Sequence, residues 1–95
     1  MWIEEVPNKE KGVLIDVRSN EEFELMHAEN SVNIPWDMHL YYLEELAKLP
    51  KPWMFCCEAG YRSGLVVFSL RNLGYTEVYN VGRWFDVKTN QKQEV

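Results

Sequence analysis

Short apolar runs separated by stretches of helical periodicity divide this chain into alternating strands and helices. Val13-Leu14-Ile15-Asp16-Val17, after Gly12, is continuously apolar around one aspartate, the pattern of a strand buried on both faces. Ser19 and Glu22 form Ser-x-x-Glu, a capping box, and Phe23, Leu25 and Met26 supply the apolar side of a short helix. Val32-Asn33-Ile34-Pro35 reads as a brief strand that Pro35 ends. Leu40, Leu43, Leu46 and Ala47 recur at helical spacing until Pro50 and Pro52 break the pattern. Trp53 to Cys57 is the next strand. A helix follows over Leu65 to Leu73, with Val66, Leu70 and Leu73 lining it and Leu65 and Phe68 beside them. Gly74 falls where a left-handed cap ends a helix. Glu77 to Val81 is the last strand, Trp2 to Val6 a candidate first one, and the polar tail 88–95 is expected to fray.

Strands alternating with helices predict a parallel sheet covered on both faces. In such sheets ligands bind beyond the carboxyl ends of the strands, which is where Cys57 falls.

Composition narrows the function classes. The 95 residues fit one domain, 1–95, and with 46% apolar residues it should fold without metal or disulfide staples. A net charge of −5 argues against a nucleic-acid partner, which needs a basic face. No apolar run approaches the ~18 residues of a spanning helix, so no membrane partner is expected. The start Met1-Trp2-Ile3-Glu4-Glu5 has no basic region of a signal peptide. Cys56 and Cys57, being adjacent, staple nothing, and a reducing, cytoplasmic location is expected. No Cys/His spacing suits a metal, and no cofactor is implied.

The chemistry concentrates in Cys57-Glu58-Ala59-Gly60-Tyr61-Arg62-Ser63-Gly64. A cysteine ends a buried strand, a glycine-containing loop follows, and an arginine stands at a helix start. Unpaired N–H groups of a first helical turn favour negative charge, so a thiol set against them moves toward the thiolate. Most free cysteines are small buried hydrophobes, and Cys56 reads that way by its strand position. Cys57, before Gly60 and Arg62, reads as a nucleophile. Arg62 either pairs with a surface carboxylate or fixes the loop and adds positive charge near the sulfur; its place favours the second. Asp16 and Arg18 tie the strand end to the next helix. His27 reads as a hydrogen-bonded loop residue rather than a base, and nothing in its surroundings supports a role for His39.

These residues resemble the rhodanese-like domain family. Leu14-Ile15-Asp16-Val17-Arg18 with Glu22-Phe23 is similar to its first landmark, and His27 through Val32-Asn33-Ile34-Pro35 to its second. Cys57-x-x-Gly60-x-Arg62-Ser63 matches the active-site loop, and Leu73-Gly74-Tyr75 with Val78-Tyr79-Asn80-Val81-Gly82 the last strand and its turn. The likeness runs from about Val13 to Phe85. It departs at Met26, Ala28, Glu29 and Asn30 around the histidine, at Gly82-Arg83, and at Glu58, where many members carry a basic residue. Little chain remains after Trp84-Phe85 for the family's terminal helix, so one sheet face is expected to be thinly covered.

The resemblance implies an α/β domain, a parallel sheet of about five strands with helices on both faces, and sulfur transfer through a Cys57 persulfide. Glu58, Ala59, Gly60, Tyr61 and Ser63 would form the loop that holds it, with Arg62 in support. Counted from Cys56, Arg62 completes Cys-x5-Arg-Ser, the phosphatase spacing; Gly60 fits the count from Cys57, the sulfurtransferase one. A carboxylate at Glu58 opposes an anionic donor, so polysulfide or a protein persulfide is expected over thiosulfate, with a thiol or protein as acceptor. A phosphatase or arsenate reductase using Cys56 stays open. So does a non-catalytic module that binds a protein through the loop or the helix 37–49.

Overall fold

The computed structural model describes residues 3–87. Four parallel strands, β1 (Val13–Asp16), β2 (Val32–Asn33), β3 (Trp53–Cys57) and β4 (Val78–Arg83), lie in the order β2-β1-β3-β4. They are joined by α1 (Asn20–Leu25), by a 3-10 turn (Trp36–Tyr42) running into α2 (Leu43–Ala47), and by α3 (Tyr61–Asn72). β1 and β3 register Ile15 with Phe55, while β3 pairs Phe55 with Asn80 and then Cys56 with Gly82. Val81 is therefore an extra residue, a bulge beside the two cysteines.

The alternation of β3 sends its side chains to two cores. Trp53, Phe55 and Cys57 pack with Ile15, Val17 and Val78 under Leu46 of α2 and Val66, Val67 and Leu70 of α3. Met54 and Cys56 pack with Leu14 on the other face. That face is covered by Val6, Ala28 and Val87 and by Trp84 of a second 3-10 turn, Trp84–Asp86. Helical elements thus lie on both faces, but the second cover is thin.

The differences from the sequence reading have local causes. The sheet has four strands among the described residues, not five. Of the expected first strand, Trp2 lies outside the described residues, and the rest makes one backbone bond, from Glu4 N–H to Asn80 O at 2.9 Å. The next ladder donor, Asn80 N–H, goes instead to the Glu4 carboxylate at 2.8 Å. The helix read from Leu40 is mostly a 3-10 turn, with only Leu43–Ala47 α-helical. β4 runs two residues beyond Val81, to Arg83. α3 starts at Tyr61 rather than Leu65, and Leu65, Phe68 and Leu73 are exposed rather than lining the core. Gly74, at φ 98°, does cap that helix in the left-handed region, and the polar tail 88–95 lies outside the described residues.

Candidate active site

β3 delivers Cys56 and Cys57 to opposite faces of the sheet. After Cys57 the chain turns through exposed Glu58 and Ala59 to Gly60, whose φ of 93° only glycine adopts at no steric cost. α3 begins on the next residue. The turn aims the first N–H groups back at the sulfur: Gly60 N–H donates to Sγ at 2.9 Å and Ser63 N–H at 3.4 Å. Ser63 Oγ stands at 3.4 Å from the same atom. Cys57 is only 1% exposed, so the sulfur sits at the bottom of this cradle.

The two thiols are driven apart by their surroundings. Burial pushes Cys57 up, but the Ser63 hydroxyl and the N–H groups of Ser63, Ala59 and Gly60 outweigh it and hold the thiol below its ordinary value. Burial, then the charges of Asp16 and Cys57, push Cys56 well above the usual thiol range, and Arg18 offsets only part of this. Thiolate character belongs to Cys57.

Behind the cradle stands a residue the sequence reading passed over. Asn80 is fully buried on the α3 side of β4. Its Nδ2 donates to Gly60 O at 3.1 Å, and its Oδ1 accepts from Ser63 Oγ at 2.7 Å and from Gly82 N–H at 3.1 Å. One amide therefore fixes the loop, the helix start and the bulge together. An amide at a core-facing position of an apolar strand was the available signal, because buried polar groups are kept only with partners.

Arg62 makes a two-pronged pair with Glu22, Nη1 to Oε1 at 2.9 Å and Nη2 to Oε2 at 3.3 Å. The Arg62 hydrogen bond, then that of Ser19 N–H, lowers the Glu22 carboxyl to about 2. Glu22 thus closes the α1 capping box with Ser19 and also clamps α3. The guanidinium is raised above its ordinary value by Glu22 first, with the charge of Cys57 a lesser cause. The partner carboxylate and the nearby sulfur are both present.

Glu58 Oε1 accepts from Trp84 Nε1 at 3.2 Å and lies 3.8 Å from an Arg18 guanidinium nitrogen. Arg18 is itself bound to Asp16 at 2.8 Å, donates to Met26 O at 2.7 Å, and stacks over Trp84. Asp16 and Arg18 therefore brace the strand end, as expected. Tyr61 opens α3 with its ring exposed. His27 stacks on Phe23, and its Nδ1–H donates to Phe23 O at 2.6 Å, outside the cradle. His39 bridges elements: Nδ1 donates to Trp36 O at 2.7 Å while Nε2 faces Ser69 Oγ of α3 at 2.9 Å. Among the described residues no three His, Cys, Asp or Glu side chains are grouped to hold a metal ion.

A family model described as Rhodanese-like domain matches residues 2–85. The adenylyltransferase and sulfurtransferase UBA4 of Candida albicans is 30% identical over 92 residues, covering 85% of this chain but 21% of its own length. The chain thus spans about a fifth of that relative. The thiosulfate sulfurtransferase GlpE of Vibrio cholerae is 30% identical over 73 residues, covering 77% of this chain and 68% of GlpE. Among solved structures, a rhodanese with anions from E. coli superposes with a TM-score of 0.70 at 28% identity, covering 81% of this chain and 92% of that one. With the sheet order, the cysteine at the end of β3 and the glycine-turned cradle already in view, these matches place the chain in the rhodanese-like domain family.

Proposed function

We propose that this domain is a sulfurtransferase that carries sulfane sulfur as a persulfide on Cys57 and passes it to a thiol or other nucleophilic acceptor. The observation that carries the reading is the convergence of Gly60 N–H, Ser63 N–H and Ser63 Oγ on Cys57 Sγ. In the reaction, the Cys57 thiolate attacks the terminal sulfur of a donor, whose remaining part leaves with the bonding pair. An acceptor thiolate then attacks the outer sulfur of the persulfide and Cys57 leaves as thiolate, as in thiol–disulfide exchange. The N–H groups of the loop Glu58, Ala59, Gly60, Tyr61 and Ser63 hold the charge as a nest at the helix start. Arg62 keeps that loop in place through Glu22 and adds charge nearby.

A cradle in which Cys57 is 1% exposed favours a donor that presents a single narrow terminal atom over a tetrahedral oxyanion. Full burial of Cys56 and its raised thiol count against the phosphatase or arsenate reductase alternative. Glu58 follows Cys57 directly, and its carboxylate, though turned toward Trp84 and Arg18, adds negative charge near the site, which favours a polysulfide or a protein persulfide over thiosulfate. Two free thiols suit a reducing, cytoplasmic setting, and no helix among the described residues is long and apolar enough to cross a membrane.

Mass spectrometry after incubation with polysulfide or an alkyl hydropersulfide, whose thiolate RS− leaves as its outer sulfur is taken, tests the reading. A one-sulfur adduct on the peptide holding Cys57, labile to a thiol, is the expected result. No adduct on either cysteine would leave a binding module in its place, and an adduct on Cys56 alone would move the chemistry there.

A further inference from the structure

α3 is apolar on the wrong side as well as the right one. Val66, Val67 and Leu70 face the core, yet Tyr61, Leu65 and Phe68, spaced along the opposite face, are 66%, 55% and 64% exposed. The stripe begins at Tyr61, within the cysteine loop, and on α1, three residues after Glu22 of the Glu22–Arg62 clamp, Leu25 is 85% exposed. Scattered exposed apolar residues are ordinary, but a stripe continuous with a reactive loop marks an interaction surface.

The charges at this end of the sheet select the occupant. α1 leaves the carboxyl end of β1 and carries Glu21 and Glu24; the 3-10 turn leaves the carboxyl end of β2 and carries Asp37. None of these three has an ion-pair partner among the described residues. The arginines at the same end are each held by a carboxylate, Arg18 by Asp16, Arg62 by Glu22 and Arg83 by Asp86. Lys9, Lys11, Lys48 and Lys51 precede β1 and β3 and so lie at the opposite end of the sheet. Among the described residues the cysteine end thus carries an apolar stripe together with acidic side chains that have no ion-pair partner. A second copy of the chain would bring like charges together there.

We infer that the outward face of α3 with Leu25 docks a protein partner whose exchanging cysteine sits in an apolar patch ringed by lysine or arginine. The inference rests on the persulfide reading above and names the partner class of that same site. Within the docked pair the partner's thiolate attacks the outer sulfur of the Cys57 persulfide, one S–S bond forms as the other breaks, and Cys57 departs as thiolate. No oxidant or reductant is required.

The test uses the full chain loaded with sulfur on Cys57 and two cysteine peptides alike in leucine content, one flanked by lysines and the other by glutamates. Transfer to the lysine peptide should be faster by on the order of tenfold at low salt, and the two rates should converge as salt screens these charges. Combining Glu21→Lys, Glu24→Lys and Asp37→Lys should reverse the preference while leaving transfer to β-mercaptoethanol unchanged. Leu65→Ser with Phe68→Ser should slow both peptides and not the small thiol. Equal rates to the two peptides in the unmodified chain, or a lysine preference that survives the three charge changes, would overturn the inference. So would self-association of the chain abolished by Leu65→Ser with Phe68→Ser, which would assign the face to a second copy. Fluorescence anisotropy with a serine-for-cysteine copy of the lysine peptide separates docking from chemistry. Binding of that peptide to a chain that never loads sulfur would sink the persulfide reading and leave the docking surface standing.

Discussion

The Ser63 hydroxyl has one proton and two claimants: Asn80 Oδ1 at 2.7 Å and Cys57 Sγ at 3.4 Å. Asn80 Oδ1 keeps a second donor, Gly82 N–H, so the proton can turn to the sulfur as negative charge builds there without stripping the amide bare. Ser63→Ala removes this donor. The inflection in the rate of Cys57 alkylation against pH should then move upward, because the largest of the influences lowering the thiol is gone. An unmoved inflection would mean the backbone N–H groups do all the holding. Asn80→Leu tests the other side of the same bond. Leucine is more apolar, yet it takes the side-chain acceptor from Gly82 N–H and leaves Gly60 O with Gly64 N–H alone, and unfolding in urea should show a loss of about 1–3 kcal/mol. The cysteines themselves divide along the same lines. Cys57→Ser should abolish sulfur loading and leave the fold intact, whereas Cys56→Ser should load normally and lose stability, since the smaller, more polar hydroxyl replaces a thiol packed by Leu14 and Met54. The reverse pattern would move the chemistry to Cys56.

Between elements, the clamp from Glu22 to Arg62 joins α1 to the start of α3 across a separation of 40 residues. Its contribution depends on pH in a defined direction. The folded-state value of Glu22 is depressed from 4.5 to about 2, so the stabilisation is complete above the unfolded value and is lost as pH falls from there through about 2. The pair is partly exposed, which holds its worth to about 1 kcal/mol. Wild type and Glu22→Gln should therefore differ by about that amount in denaturant unfolding at pH 6 and approach each other near pH 3. The sequence made the cap at Ser19 legible, because Ser-x-x-Glu is a local signal, but not the second duty of the same glutamate, which tertiary contact creates. β1, β3 and the Cys57–Gly60 turn were legible for the same local reason. The fifth strand was not, since Glu4's side chain takes the N–H a ladder would use. Nor was the exposure of Leu65 and Phe68, because a helix apolar on both sides gives no periodicity from which to choose the buried one. Asn80 and the bulge at Val81 depend on pairings across the sheet that no local pattern encodes.

At the scale of the whole molecule, the helix-start nest and the surface field pull in opposite directions. The cradle draws negative charge to Cys57 at short range, while Glu58, next to it in sequence, and Glu21, Glu24 and Asp37, at the same end of the sheet, repel an approaching anion at longer range. Arg18 lies 3.8 Å from Glu58 but already serves Asp16, so it softens the carboxylate without cancelling it. The two effects differ in reach, and salt distinguishes them: contacts inside the buried cradle are little screened, whereas the exposed carboxylates act through solvent and are screened. Loading of Cys57 from thiosulfate should therefore be slower than from an alkyl hydropersulfide, neutral when protonated, at low ionic strength, and the gap should narrow as salt is added. Glu58→Gln should speed the thiosulfate reaction by roughly a few-fold at low salt and less at high salt, leaving the neutral donor nearly unchanged. Thiosulfate rates that match the neutral donor in wild type, or that ignore both salt and Glu58, would mean the nest alone governs entry and that these carboxylates have no part in choosing the donor.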